Sequence, residues 1–167
     1  MNYQKYFPVD VVNGIGTRAT LYVSGCSFTC KGCFNKSALN PNSGKPFTKE
    51  LEDRIIRDLN DTRIKRNGLS LLGGDPLFEG NLEAIGQLVE RVKREAPHST
   101  IWLWSGNKID ELDESQQEIV KNIDVFIDGQ FIKELADPSL LWRGSSNQVV
   151  HYLSDRSKPK EWTDRII

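Results

Sequence analysis

Thr20-Leu21-Tyr22-Val23-Ser24-Gly25-Cys26-Ser27-Phe28-Thr29-Cys30-Lys31-Gly32-Cys33 is an apolar, β-rich run that stops at a glycine and opens into three closely spaced cysteines. The run Arg18 to Ser24 reads as a buried strand, because β-branched and aromatic residues dominate it and glycines bound it on both sides. The cysteines that follow are all the cysteines in the chain, spaced C-x3-C-x2-C. A reactive loop therefore sits at the carboxyl end of a strand. In parallel α/β architectures those ends gather on one rim, and ligands bind there.

Three thiolates so close together can wrap one soft metal centre. A cubane iron–sulfur cluster normally takes four cysteine ligands, one per iron. Three leave one iron with an open position, where a small molecule can be chelated and reduced. The alternatives fit less well. Structural zinc takes four protein ligands, and the two histidines, His98 and His151, lie far away in sequence. A disulfide strands the third cysteine, and packing alone rarely gathers three thiols in one short segment.

The 167 residues suffice for one domain with a real core. A hydrophobic fraction of 38%, a charged fraction of 27% and a net charge of −1 are ordinary for a soluble globular chain. That balance gives no electrostatic case for nucleic acid or an anionic membrane. The basic run Arg63-Ile64-Lys65-Arg66 is expected to be a solvated loop. Met1 to Pro8 lacks the apolar core of a signal peptide, and no stretch is long and apolar enough to span a bilayer. With thiols grouped and no export signal, a reducing cytoplasm is expected.

Strand and helix signals alternate along the chain. Gly14-Ile15-Gly16-Thr17-Arg18-Ala19 matches a G-x-G-x-x-A dinucleotide fingerprint, but that motif needs a strand before it and a helix after it. Here a strand follows, so the segment reads as a turn. Asn40 to Pro46 reads as loop. Thr48 caps a helix with Leu51, Ile55, Ile56 and Leu59 on its inner face. Leu69 to Leu72 is a second strand, ending at Gly73-Gly74-Asp75-Pro76. A second helix starts near Asn81, turns Leu82, Ile85, Val89 and Val92 inward, and stops before Pro97.

Ile101 to Trp104 makes a third strand, ending at Ser105-Gly106, and Trp102 and Trp104 share one face of it, for core packing. Asp113 to Asn122 is a third helix with a capping pair, Asp113 and Gln116. Val125 to Ile127 is a fourth strand, ending at Asp128-Gly129, and a last short strand lies around Gln148 to Val150. The fold class that follows is α/β, an open or partial parallel β/α barrel in a single domain. The domain spans residues 1–153, with a charged tail of unassigned role at 154–167.

The ends of four strands thus bring the cysteine loop, Gly73-Gly74-Asp75-Pro76, Ser105-Gly106 and Asp128-Gly129 to one mouth. Gly73 and Gly74 let backbone groups approach a ligand closely. Asp75 offers a carboxylate to face an ammonium group or to cap the turn. Asp128 offers one for a cation or a ribose hydroxyl, or serves as a turn residue. Trp142-Arg143-Gly144-Ser145-Ser146-Asn147-Gln148 either closes the site with hydrogen bonds or forms a structural turn.

The cysteine spacing with a downstream Gly-Gly-Asp-Pro resembles the radical S-adenosylmethionine superfamily. More narrowly, the chain is similar to the activating proteins of anaerobic (class III) ribonucleoside-triphosphate reductases. Asn13 to Arg18, Ser24 to Asn35, Gly73 to Leu77, Trp102 to Gly106, Asp128-Gly129 and Trp142 to Gln148 carry the likeness in order. The resemblance implies a [4Fe–4S] cluster on Cys26, Cys30 and Cys33, with S-adenosylmethionine chelated at the open iron. It implies that Gly73 and Gly74 hold the methionine ammonium and that Gly32 and Phe34 flank the adenine, with Asp75, Ser105 and Asp128 around the same cofactor. Two positions depart from the superfamily's pattern. Gly32 stands where an aromatic residue often precedes the third cysteine, and Leu72 stands where a small hydroxyl residue often precedes the double glycine.

The implied reaction is reductive cleavage of S-adenosylmethionine to a 5′-deoxyadenosyl radical. That radical takes a hydrogen from a glycine of the large reductase subunit. A reductant such as flavodoxin supplies the electron, and neither membrane nor nucleic acid takes part. Two other classes compete: a radical enzyme acting on a metabolite, and a non-enzymatic electron carrier or zinc-stabilised module. S-adenosylmethionine binding excludes the last, and dependence on a partner protein separates the first two.

Overall fold

The computed structural model describes residues 1–28, 32 and 36–159. Among these, seven strands form one open sheet: β1 (Asn2–Asp10), β2 (Arg18–Val23), β3 (Lys45–Pro46), β4 (Gly68–Gly73), β5 (Thr100–Trp104), β6 (Val125–Asp128) and β7 (Val149–Tyr152). Their order is β3-β1-β2-β4-β5-β6-β7. The strands β2, β4, β5 and β6 are parallel and lie in sequence order. Helices α1 (Lys49–Asn60), α2 (Leu82–Glu95) and α3 (Glu114–Val120) connect them. Parallel strands laid down in order place their crossover helices on one face, as a β/α barrel does, and here the sheet stays open.

The edges differ from the expected all-parallel pattern. β1 runs antiparallel to β2, β3 antiparallel to β1, and β7 antiparallel to β6. Nothing in the sequence marked Asn2–Asp10 as a strand, because Pro8 interrupts its pattern. Pro8 falls between Phe7 and Asp10, where the register against β2 shifts, so its missing N–H breaks no ladder bond there. Asn40 to Pro46, expected to be loop, ends in the two-residue strand β3.

The helices form where their caps and apolar spacing put them. Thr48 accepts the Leu51 N–H, and Leu51, Ile55, Ile56 and Leu59 are the buried face of α1. Asp113 and Gln116 make a reciprocal capping box on α3. In α2 the buried residues are Ile85, Leu88, Val89 and Val92, so Leu88 joins the face and Leu82 stands at its margin. These side chains pack on Leu21, Leu69, Leu71, Ile101, Leu103 and Phe126. The opposite face of the sheet carries Trp102, Val125 and Ile127 against Ile15, Trp104, Trp142, Val150 and Tyr152.

Two arginines are structural. Arg18 is 1% exposed, and its guanidinium donates to Ser70 Oγ, Ile15 O, Thr100 Oγ1, Leu69 O and Thr100 O. It ties the amino ends of β2, β4 and β5 together. Arg66, expected in a solvated loop, is instead 5% exposed and donates to Pro8 O, Asp58 O and Ile64 O. The loop carrying it packs under β1, which only the tertiary pairing reveals. Residues 154–157 also belong to the folded body: Ser154 and Arg156 bind the Asp124 carboxylate, and Ser157 Oγ donates to Asp124 O. Among the described residues no helix is long and apolar enough to cross a membrane.

Candidate functional site

The carboxyl ends of β2, β4, β5 and β6 surround a cavity of about 270 Å3. Cys26, Gly73, Gly74, Ser105 and Gly129 all line it. The cysteine loop is sewn to its neighbours by backbone bonds: Gly25 N–H to Ala38 O at 2.6 Å, Cys26 N–H to Leu39 O at 3.2 Å, and Asp75 N–H to Gly25 O at 2.7 Å. The Phe28 N–H points at Cys26 Sγ at 3.4 Å. An N–H donated to a sulfur favours negative charge on it, which suits a metal-bound thiolate. Cys30, Cys33 and Phe34, the other residues expected there, lie outside the described residues. Gly32 is exposed, and a Cβ on it would lie 3.3 Å from Lys133 Cδ and 3.6 Å from Phe131 Cε1.

The double glycine is required by close approach. Gly73 has φ +119°, a left-handed value that strains any residue with a Cβ. A Cβ on Gly74 would sit 2.5 Å from Gly25 O and 2.8 Å from Ala38 O, both backbone atoms. Gly74→Ala is therefore expected to push the β4 turn off the cysteine loop and destabilise the fold by about 1–3 kcal/mol. A thermal melt checks this; an unchanged midpoint would show that the two turns separate freely.

The acidic residues sit less simply. Asp75 is 1% exposed, and its carboxylate receives the Leu77 N–H, the Ser105 hydroxyl, the Gly106 N–H and the Asn107 side-chain amide. Its bonded partners are groups of the protein's own turns. Burial pushes the Asp75 carboxyl up from 3.8 to about 6, opposed by the bonds from Leu77, Ser105 and Gly106. The folded chain then holds this proton more tightly than the unfolded chain does. The group's contribution to stability falls as pH rises from 3.8 through about 6.

Asp128 shares a face with Phe126, two residues before it, and so points to the helix side of β6. Its Oδ2 receives the Ile109 N–H at 2.8 Å and meets His151 Nε2 at 3.0 Å. Gly129, one residue on, is the part of that pair that lines the cavity. Neither histidine stands beside Cys26 as a zinc ligand would. His98 binds Leu59 O near the amino end of β5, and His151 pairs with Asp128.

The Trp142 to Gln148 segment closes one wall. Gln148 Oε1 accepts the Gly144 and Ser145 N–H groups, and its Nε2 donates to Gly129 O. Trp142 has φ +67°, unusual for a bulky residue, and its carbonyl receives the Trp104 indole N–H at 2.6 Å. Of the aromatic pair, Trp102 is buried core, while Trp104 also lines the cavity. Tyr22 forms part of the lining, with its hydroxyl accepting from Asn13 Nδ2. Tyr22, Phe28, Leu39 and Phe131 carry no sequence signal for the cavity. The strand-end rule points to their neighbourhoods but not to their side chains.

A family model for a 4Fe-4S single cluster domain matches residues 12–151. The anaerobic ribonucleoside-triphosphate reductase-activating protein of Escherichia coli (strain K12) is 60% identical over 153 residues, covering 92% of this chain and 99% of that protein. The chain belongs to the anaerobic ribonucleoside-triphosphate reductase-activating protein family.

Other members of this reductase-activating family are similar over nearly their whole length. The activating protein of Vibrio cholerae is 60% identical over 151 residues, 90% of this chain and 97% of its own. That of Enterobacteria phage T4 is 43% identical over 148 residues, 89% of this chain and 92% of its own. The matched span contains the cavity and the cysteine motif. A cysteine-ligated cluster fits what the described residues offer: a cavity-lining sulfur with an N–H donor aimed at it, beside a turn stripped of side chains.

Proposed function

We propose that this protein is an activating enzyme that installs a glycyl radical on the large subunit of the anaerobic ribonucleoside-triphosphate reductase. It would do so with a [4Fe–4S] cluster on Cys26, Cys30 and Cys33 and with S-adenosylmethionine. The observation that carries the reading is that Cys26 shares one cavity with Gly73 and Gly74, in a chain belonging to the reductase-activating family. When bound, the cluster and S-adenosylmethionine together supply a one-electron cleavage of the sulfonium carbon–sulfur bond. The electron comes from a reductant such as flavodoxin, and the setting is a reducing, anaerobic cytoplasm.

The chain's own groups support each requirement. The Phe28 N–H steadies charge on the Cys26 sulfur. Gly73 and Gly74 present bare backbone to a polar, zwitterionic ligand end, while Leu39, Leu72, Tyr22 and Trp104 give the cavity an apolar lining that excludes water. Gln148 fixes Gly129 and Gly144 as the far wall. Gly32 and Phe34 remain the proposed flank of the adenine, with Phe131 packed beside Gly32.

The test is anaerobic incubation of the reconstituted protein with reductant, S-adenosylmethionine and the reductase, followed by electron paramagnetic resonance. A glycyl doublet that requires all three is expected. Cleavage of S-adenosylmethionine without any doublet on the reductase would overturn the protein substrate and favour a metabolite instead.

A further inference from the structure

Below the cavity lies a knot of buried polar groups that joins three strand ends. Asp75, Asn81, Ser24 and Ser105 are 1%, 2%, 0% and 6% exposed. The Asp75 carboxylate holds the β5 turn through Ser105 Oγ (3.0 Å), Gly106 N (3.1 Å) and Asn107 Nδ2 (3.3 Å), and holds its own turn through Leu77 N (2.8 Å). Its backbone N–H reaches Gly25 O on the β2 turn. Asn81 Nδ2 completes the link by donating to Ser24 O (2.8 Å) and Asp75 O (3.0 Å). Gly74, Ser105 and Gly106, which the carboxylate registers against one another, are cavity wall, and Gly25 leads directly into Cys26.

The chemistry of the partners singles out the ionised form. Leu77, Gly106 and Asn107 present N–H donors, and Ser105 Oγ donates its hydroxyl while accepting from Asn107 N. A carboxylate accepts from all of them. An amide or a protonated acid puts hydrogens of its own where donors already point, so one turn must be released. Each of these partners is uncharged, and so is Asn81. Among the described residues of the turn after β2, Cys26, one residue beyond Gly25, is the titratable side chain.

We propose that Asp75, backed by Asn81, is a positioning residue: its charged carboxylate touches no ligand but sets the spacing of the Gly74 and Gly106 walls, so affinity for the cavity's ligand follows its ionisation. This rests on the reading that the ligand is S-adenosylmethionine. It also explains a cost. Burial works against the charge at neutral pH, and the chain carries that penalty at a place where it shapes the cavity.

The test begins without any cofactor. In the isotope-labelled full chain, the Gly106 and Leu77 amide resonances should titrate together with a midpoint near that of Asp75, about 6. In Asp75→Asn they should stay flat. Ser105→Ala, which removes one bond favouring the charge, should move the midpoint upward. In the anaerobically reconstituted protein, calorimetry should find S-adenosylmethionine bound roughly 10-fold more weakly by Asp75→Asn. With a midpoint of about 6, roughly a quarter of the carboxylate stays ionised at about pH 5.5. The wild type should therefore weaken about 3-fold between about pH 7.5 and about pH 5.5, with the variant insensitive over that range.

If the amides titrate but wild type and variant bind S-adenosylmethionine alike at both pH values, Asp75 is scaffold only and the proposal fails. Amides that do not titrate also overturn it. A wild type that binds no S-adenosylmethionine at all brings down the proposed function, and this role with it. The cofactor-free titration tells these failures apart. Should Asp75→Asn not fold, the wild-type pH series and Ser105→Ala decide between the same outcomes.

Discussion

Cys26→Ala is expected to abolish the cluster, and with it S-adenosylmethionine cleavage and the glycyl radical, to background. Three cysteines are the whole supply of thiolate in the chain, so no spare ligand exists to take over the vacated iron. The fold should survive. Cys26 is only half-buried, and alanine keeps the backbone N–H bond to Leu39 O that ties this turn to its neighbour. Loss of stability should stay within about 1 kcal/mol. Iron per chain, the visible absorption of the cluster and a thermal melt measured together check this. A variant that keeps full iron and cleaves S-adenosylmethionine would remove Cys26 from the ligand set. A collapsed melt would mean that the cysteine serves packing instead.

Arg18→Met should be the most damaging change away from the cavity. It leaves the straight apolar stem but strips five donated bonds from Ile15 O, Leu69 O, Thr100 O, Ser70 Oγ and Thr100 Oγ1. Buried acceptors left without donors cost far more than the bonds contribute net. A loss of about 3–5 kcal/mol follows, which for a chain of this size lowers the melting midpoint by roughly 10 °C. Arg18→Lys should rescue little. A single ammonium cannot reproduce the planar fork that serves three strands, and it loses the stacking over the Trp102 ring at 5.4 Å. Melting within about 2 °C of wild type would show that water or a relaxed loop replaces the guanidinium.

Much of the architecture was legible because its signals are local. The Thr48 and Asp113 caps, the inward faces of α1 and α2, and the glycines ending β2, β4 and β6 are set by neighbours within four residues. The strand-end rule then turned four separate motifs into one cavity, which is where Cys26, Gly73, Gly74, Ser105 and Gly129 meet.

The less legible part depended on partners remote in sequence. Asp75 read either as a carboxylate for an ammonium group or as a turn cap. The carboxylate is engaged both by its own turn and by one some thirty residues later, which the sequence did not show. Asp128 read as a carboxylate for a cation or a ribose hydroxyl or as a turn residue, and the pleat turns it toward the helices while its neighbour Gly129 lines the cavity. Arg66 read as a solvated loop residue until β1, itself hidden by Pro8, packed over it.

From the order of residues alone came the cysteine triad, the alternation of strand and helix, and the rim on which the site lies, because spacing and turn chemistry act over a few bonds. The tertiary structure alone decided the antiparallel edges, the direction each acidic side chain faces, and which side chains line the cavity. Those depend on strand register and on donors brought from distant segments, and a one-residue step along a strand reverses the face a side chain sees.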